Sequence, residues 1–281
     1  MLQSTKPALA ETAAVREMAR KVRTHIVKMT HRARCSHTGS GLSLADVVAS
    51  LYGGGVLNHR PSEPKWPARD RLILSKGHAA ACQYAVLAEA GFFPSQELEK
   101  FCTNDSYLAG HVNHNVPGVE ASTGSLGHGL SIGCGMALVG KTSEPRFRVF
   151  VILSDGECDE GSTWEPALLA PTLKLSNLTV IVDYNKIQSL GTVKEVLDLE
   201  PLADKWRSFG WAVEEVDGHD VEALLATLGR LPFETDKPSC IIAHTVKGKG
   251  VSFMENQLIW HYYSPDKEEL EKALAELGET V

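Results

Sequence analysis

The sequence predicts an α/β fold: a doubly wound, mainly parallel sheet with helices on both faces. Five short runs carry the prediction, at residues 70–75 (DRLILS), 147–153 (FRVFVIL), 178–182 (LTVIV), 211–216 (WAVEEV) and 239–244 (SCIIAH). Most are nearly continuous in aliphatic and β-branched residues, as strands buried on both faces must be. The runs alternate with segments of helical period, the pattern of parallel strands joined by crossover helices. Several also end in residues that carry chemistry, and in open α/β sheets ligands bind beyond the carboxyl ends of the strands.

Length and composition narrow the class. The 281 residues suffice for one large domain, and we read 1–281 as a single domain with a C-terminal helical extension. The 28 basic and 35 acidic residues give a net charge of −7, with no Lys/Arg run, which argues against nucleic acid as a partner. Six cysteines (Cys35, Cys82, Cys102, Cys134, Cys158, Cys240) form no C-x-x-C pair, so they read as reduced thiols of a cytoplasmic protein. The N-terminal stretch has no apolar segment of signal-peptide type, and no run of about 18 apolar residues suggests a membrane span.

In chain order, residues 11–34 have the three-four apolar spacing of a long amphipathic helix through Val15, Met18, Val22, Ile26 and Met29. His37 follows in a glycine-bearing turn, where it reads either as an exposed turn residue or as a ligand-facing one. Ser43, three residues before Asp46, reads as the N-cap of the helix LADVVASLYG. After the first strand comes Lys76-Gly77-His78-Ala79, with His78 at a strand-to-helix switch, where it serves equally as a structural cap or as part of an anion site. Residues 101–129 are long and irregular, with glycines and histidines, which suggests function in a compact domain.

The helix over 127–140 is loaded with Gly129, Gly133 and Gly135, each interior glycine costing roughly 1 kcal/mol relative to alanine. Close packing would offset that, against either this chain or a second subunit. Beyond the third strand, 189–193 reads as a turn, 199–209 and 220–228 as helices, and Lys247 as either a phosphate contact or a solvated loop charge. A charged helix from Pro265 closes the chain.

The central stretch runs from Ser154 to Gln188. Its two flanking strands place Asp155 and Asn185 on neighbouring tips. A carboxylate, a carboxamide oxygen and the Ile187 carbonyl make a hard oxygen set suited to Mg²⁺ or Ca²⁺, with positions left for phosphate oxygens and water.

Assembled, these residues resemble the thiamine-diphosphate-binding half of transketolase, at the length of the N-terminal subunit of a split transketolase. The most specific feature is Asp155-Gly156 followed thirty residues later by Asn185. Ser36-His37-Thr38-Gly39, Leu74 to Ala79, Gly110-His111, Ser122 to Gly129 and Trp260-His261 also match. The chain departs from the family at Ser154, where the motif has a leading glycine, and at Thr38, where many members have proline.

The resemblance implies thiamine diphosphate as cofactor, with Mg²⁺ or Ca²⁺ held by Asp155, Asn185 and the Ile187 carbonyl. It implies contacts to the cofactor from His78, Gly124, Ser125, Leu126, Gly156, Glu157, Asn185, Lys247 and His261. His37, His78, His111 and His261 would serve in catalysis, and Glu160 would couple paired sites. The reaction implied is transfer of a two-carbon ketol unit from a ketose phosphate to an aldehyde. A separately encoded C-terminal partner would complete the site, in an α₂β₂ assembly. The rivals are another thiamine diphosphate component, similar to deoxyxylulose phosphate synthase or decarboxylating a 2-oxo acid, and a noncatalytic scaffold subunit.

Overall fold

The computed structural model describes residues 11–279, so the first ten residues of the N-terminal stretch and of the expected 1–281 domain, with its last two, lie outside them. Helix α1 (Thr12–Ala33) buries Val15, Ala19, Val22, Ile26 and Met29, the face its spacing predicts. It stops at Arg34, whose left-handed backbone (φ 50°) turns its amide back to the His31 and Thr30 carbonyls. The next segment, expected to be a turn, is instead a short buried helix, α2 (Thr38–Leu42), preceded by His37 at φ 73°.

Helix α3 (Ala45–Tyr52) begins one residue later than predicted, and Ser43 does not cap it. The Ser43 hydroxyl donates instead to the Ser40 carbonyl (3.1 Å) and to the Asp183 carboxylate (2.7 Å). A buried charge 140 residues away is a stronger acceptor than the competing cap geometry. The first strand, β1 (Arg71–Leu74), leads through a tight turn (Gly77–Ala79) into α4 (Ala80–Glu89). Residues 101–128 contain no helix or strand.

Next come α5 (Gly129–Thr142), β2 (Val149–Ser154), α6 (Gly161–Thr172), β3 (Leu178–Tyr184) and the short α7 (Val193–Val196). The chain then forms α8 (Leu202–Ser208), β4 (Ala212–Asp217), α9 (Val221–Gly229), β5 (Ser239–His244) and α10 (Lys267–Glu276). The sheet order is β1-β2-β3-β5-β4, and every pairing is parallel. β4 lies at an edge, which explains why its run tolerates Glu214 and Glu215 where the other strands are apolar.

Alternation along the strands divides the core in two. Leu72, Leu74, Phe150, Ile152, Ile181 and Ile241 face α1, α3, α4 and α9. Ile73, Val149, Val151, Leu153, Val180 and Val182 face α5, α6 and α8. Both faces are therefore covered, as the apolar character of the strands requires. The glycines of α5 find partners within the chain at Gly133, where a Cβ would collide with Val151, and at Gly140, where it would stand 2.7 Å from Phe147. Gly135 faces open space. The charged helix α10 exposes most of its length but buries Ala273 and Leu274.

Candidate functional site

Parallel strands deliver their carboxyl ends to one edge of the sheet, and four of them converge there. In register, Ser154 pairs with Asp183 and Tyr184 with His244. The residues just beyond these tips are Asp155 after β2, Asn185 after β3, Thr245 to Lys247 after β5 and Ser75 to His78 after β1.

Asp155 is 2% exposed, and its two oxygens accept the amides of Gly156 (2.8 Å) and Lys186 (2.6 Å). Burial and the neighbouring Asp183 charge push its carboxyl up to about 6. Asn185 is buried beside it, its side-chain oxygen accepting the Ile187 amide at 3.1 Å. The Ile187 carbonyl accepts the Lys247 ammonium at 3.0 Å. The three expected oxygen donors thus lie at one strand edge, with a buried negative charge and a cationic group already on one of them, an environment that fits a bound divalent cation. Among the described residues no group of three His, Cys, Asp or Glu side chains gathers for a metal, and the expected set contains only one such residue.

Above these tips stand four histidines. His37 is central, its ring centroid 5.1 Å from that of His78, 5.8 Å from His111 and 5.0 Å from His261. His78 and His261 are 5.8 Å apart. Lys247 reaches the cluster from beneath, donating to His261 Nδ1 at 3.1 Å. An ammonium has no acceptor capacity, so Nδ1 is the bare nitrogen and Nε2 carries the proton.

Burial first, then neighbouring charged groups, lower His37, His78 and His261. His37 is held at about 4, mainly by burial and then by His111. His261 is held at about 3 by burial and then Lys247, and His78 lies well below its usual value. These imidazoles are neutral at pH 7, each with one nitrogen able to give a proton and one to accept it. Burial and the Lys76 charge bring Lys247 down to about 8.

The loop 111–127 closes one side. A Cβ on Gly124 would lie 3.1 Å from the His111 ring, and the Thr123 hydroxyl donates to the Leu74 carbonyl at 2.6 Å. Ser125 is exposed and Leu126 half-buried. Glu157, expected among the cofactor contacts, is fully buried, and its carboxylate accepts the Ser75 hydroxyl and the Gly127 amide (2.8 Å). It ties the loop to the β1 tip. Glu160 is exposed at the start of α6. A Cβ on Gly156 would lie 3.3 Å from the Gln188 side chain, so that the two turns nearly touch.

Sequence reasoning missed the supports beneath the site. Asp183, within an apolar strand, is fully buried and accepts from Lys76 (2.5 Å), Ser43 and Thr245. Burial raises its carboxyl, but the Lys76 charge and these hydrogen bonds outweigh that and hold it below its usual value. A second support is Asp46, which accepts from Arg23 (3.1 Å) and from His219 Nδ1 (2.7 Å), while His219 Nε2 accepts the Val246 amide at 2.8 Å. That chain runs from α1 to the residue before Lys247. The only sequence signal for either support was an acidic residue in an otherwise apolar helix or strand.

Burial raises the Asp46 carboxyl, but His219 and Arg23 outweigh it and hold Asp46 at about 2. A depressed carboxylate contributes stability above its unfolded value near 3.8 and loses it as pH falls through 2, here roughly 2 kcal/mol. Asp46→Asn is therefore expected to destabilise the chain by about 2–4 kcal/mol at pH 7, because Arg23 is left buried without its partner. Urea melts of both proteins from pH 7 to pH 2 would check this: the difference should shrink across the acid range.

With this geometry in view, the class of protein follows from comparison. The family described as transketolase, thiamine diphosphate binding domain, matches residues 14–280, and the chain belongs to it. Within that family it corresponds to the N-terminal component of the split transketolases. It is 38% identical over 261 residues to the corresponding component of the apulose-4-phosphate transketolase of Phocaeicola vulgatus, covering 93% of this chain and 92% of that protein. It is 40% identical over 242 residues to the 6-deoxy-6-sulfo-D-fructose transketolase component SqwG of a Clostridium species, covering 86% and 88%. The transketolase structure from Campylobacter jejuni superposes with a TM-score of 0.90 at 30% identity over 96% of this chain. The chain spans only 43% of that protein. Among the described residues no helix is long and apolar enough to cross a membrane.

Proposed function

We propose that the chain is the cofactor-holding subunit of a two-component transketolase, moving a two-carbon ketol unit from a ketose to an aldehyde. The observation that carries this reading is the convergence of four histidines and Lys247 over the Asp155 and Asn185 tips. A metal-phosphate crevice alone would need the tips but not the histidines.

In this reading Asp155, Asn185 and the Ile187 carbonyl hold Mg²⁺ or Ca²⁺. Gly156, His78, Lys247 and His261 face the diphosphate, and Gly124, Ser125 and Leu126 line the aminopyrimidine. Thiamine diphosphate, when bound, supplies the electron sink that lets a carbon–carbon bond of the ketose break. The protein's own work is to position hydroxyls and move protons. His37 and His78 suit it because an imidazole neutral at pH 7 can accept a hydroxyl proton and return it, and His111 stands beside His37 as a further imidazole facing the same space. His261, with Nδ1 taken by Lys247, presents its Nε2–H as a donor. Glu157 acts by fixing the loop rather than by touching the cofactor, and Glu160, exposed at the start of α6, is placed to meet another subunit.

The names of the relatives, one a phosphorylated sugar and one a sulfonated one, suggest a donor with an anionic tail. We place its binding groups on a separately encoded C-terminal partner, in a cytoplasmic α₂β₂ assembly in which 1–281 forms one domain with a helical extension.

The test is reconstitution. The purified chain with thiamine diphosphate and Mg²⁺ is expected to show no ketol transfer from ketose phosphates, and addition of the partner should raise the rate by several orders of magnitude. Activity without partner would overturn the two-component reading. Release of CO₂ from pyruvate by the pair would favour a decarboxylating enzyme, and absence of cofactor binding by the pair would favour a scaffold.

A further inference from the structure

Two lysines lie buried at the rim of the site, and their charges are answered differently. Lys76 is fully buried and paired with the Asp183 carboxylate. Lys247 is 1% exposed, yet among the described residues its ammonium forms no ion pair and reaches two neutral acceptors, the Ile187 carbonyl at 3.0 Å and His261 Nδ1 at 3.1 Å. An ammonium offers three N–H groups, so one of them has no protein acceptor among these residues. A charge taken out of water with only neutral partners is costly, which marks Lys247 as held for a ligand.

The rest of the residue is fixed. The Lys247 carbonyl accepts the Asn256 amide at 2.8 Å, while the flanking amides of Val246 and Gly248 donate to His219 Nε2 (2.8 Å) and to the Gly39 carbonyl (3.0 Å). Its stem lies against α2, where a Cβ on Gly39 would stand 3.2 Å from Cγ. The nitrogen tip is therefore the part that exchanges partners. One of its partners, the Ile187 carbonyl, is an oxygen assigned above to the divalent cation.

Given the cofactor and metal assigned above, on which this inference rests, we propose that Lys247 is a positioning residue that makes metal binding conditional on the diphosphate. Its ammonium holds the Ile187 carbonyl until a diphosphate gives it a negatively charged partner, and then yields that oxygen to the cation. A cation arriving alone meets a positive charge on one of its three ligands and is repelled. With a diphosphate present, the same ammonium gains a partner of opposite charge and stabilises the complex. Lys247 thus couples two ligands, and by linkage each raises the other's affinity by the same factor.

The experiment titrates Mn²⁺, followed by paramagnetic resonance, into the full chain with its partner subunit, without and with saturating thiamine diphosphate, subtracting metal held by free cofactor. Lys247→Met and Lys247→Gln, both uncharged, are expected to bind Mn²⁺ alone about tenfold more tightly than the parent, a coupling of ordinary size. The factor by which thiamine diphosphate raises metal affinity should fall by about the same amount. Lys247→Arg, which keeps the charge, should bind Mn²⁺ alone as weakly as the parent. Damage to the fold weakens binding, so it cannot mimic the gain, and glutamine keeps a donor for the Ile187 carbonyl should methionine unsettle the segment. Metal-alone affinity at or below the parent's in the neutral variants, with unchanged circular dichroism, would overturn the proposal. Absence of Mn²⁺ binding by every form, even with cofactor, would overturn the cofactor-and-metal reading itself and the proposal with it.

Discussion

Asp155→Asn is expected to weaken divalent-metal-dependent binding of thiamine diphosphate by a hundredfold or more, and to leave the bare chain at least as stable as its parent. The two effects have one cause. Asp155 is a carboxylate 2% exposed, pushed up to about 6 by burial and by Asp183. A buried charge disfavours folding unless something compensates it, so an uncharged amide relieves the bare fold. A divalent cation gains most from that same charge. Loss of a residue that only orients metal ligands already costs on the order of 10–100-fold in affinity, and loss of the one charged ligand proposed above is expected to exceed that. Calorimetric titration in Mg²⁺, paired with thermal melts of the cofactor-free proteins, reads both effects. An unchanged dissociation constant would remove Asp155 from the metal site.

Gly77→Ala is the second large effect. A Cβ at this position would collide with the Thr123 carbonyl and lie 2.7 Å from the Gly124 amide nitrogen. Both obstacles are backbone, and both belong to the loop proposed to line the cofactor. The loop cannot give way locally, because Thr123 is bonded to Leu74, Val112 to the Gly77 carbonyl and Gly127 to Glu157. Overpacking of this kind costs typically 1–3 kcal/mol, and here the displaced backbone is the surface proposed to bind the cofactor. Cofactor affinity is expected to fall at least tenfold while the sheet persists, measurable as a raised dissociation constant with unchanged far-ultraviolet circular dichroism. Retention of parental affinity would show that the loop lies outside the site.

The strands and the Asp155–Asn185 pair were legible because each reports a local constraint. A run such as FRVFVIL admits few readings other than a strand covered on both sides, and a polar residue directly after it must stand at the tip. The order of the strands was not legible. Nothing in WAVEEV says that β4 passes over β5's place to the edge, although its two glutamates are explained once it is there.

Ser43 illustrates the other kind of miss. Its spacing to Asp46 satisfies a local rule, but both residues serve distant partners, Asp183 for the hydroxyl and Arg23 with His219 for the carboxylate. Glu157, which the resemblance implied as a cofactor contact, carried the same ambiguity, and only the tertiary fold reveals that it turns onto the Ser75 hydroxyl and that Lys76 is turned fully into the interior. Local patterns foretold which groups gather, while the members that hold them together are set by pairings between segments far apart in the chain.

The Asp183 carboxylate joins four segments: its own strand β3, the α2–α3 junction through Ser43, the β1 tip through Lys76 and the β5 tip through Thr245. None of these can peel away alone without leaving a charge or a hydroxyl unanswered in the interior. The rim of the site is thus one cooperative unit whose parts open together or not at all, although it is assembled from tips that a parallel sheet would otherwise let fray one by one.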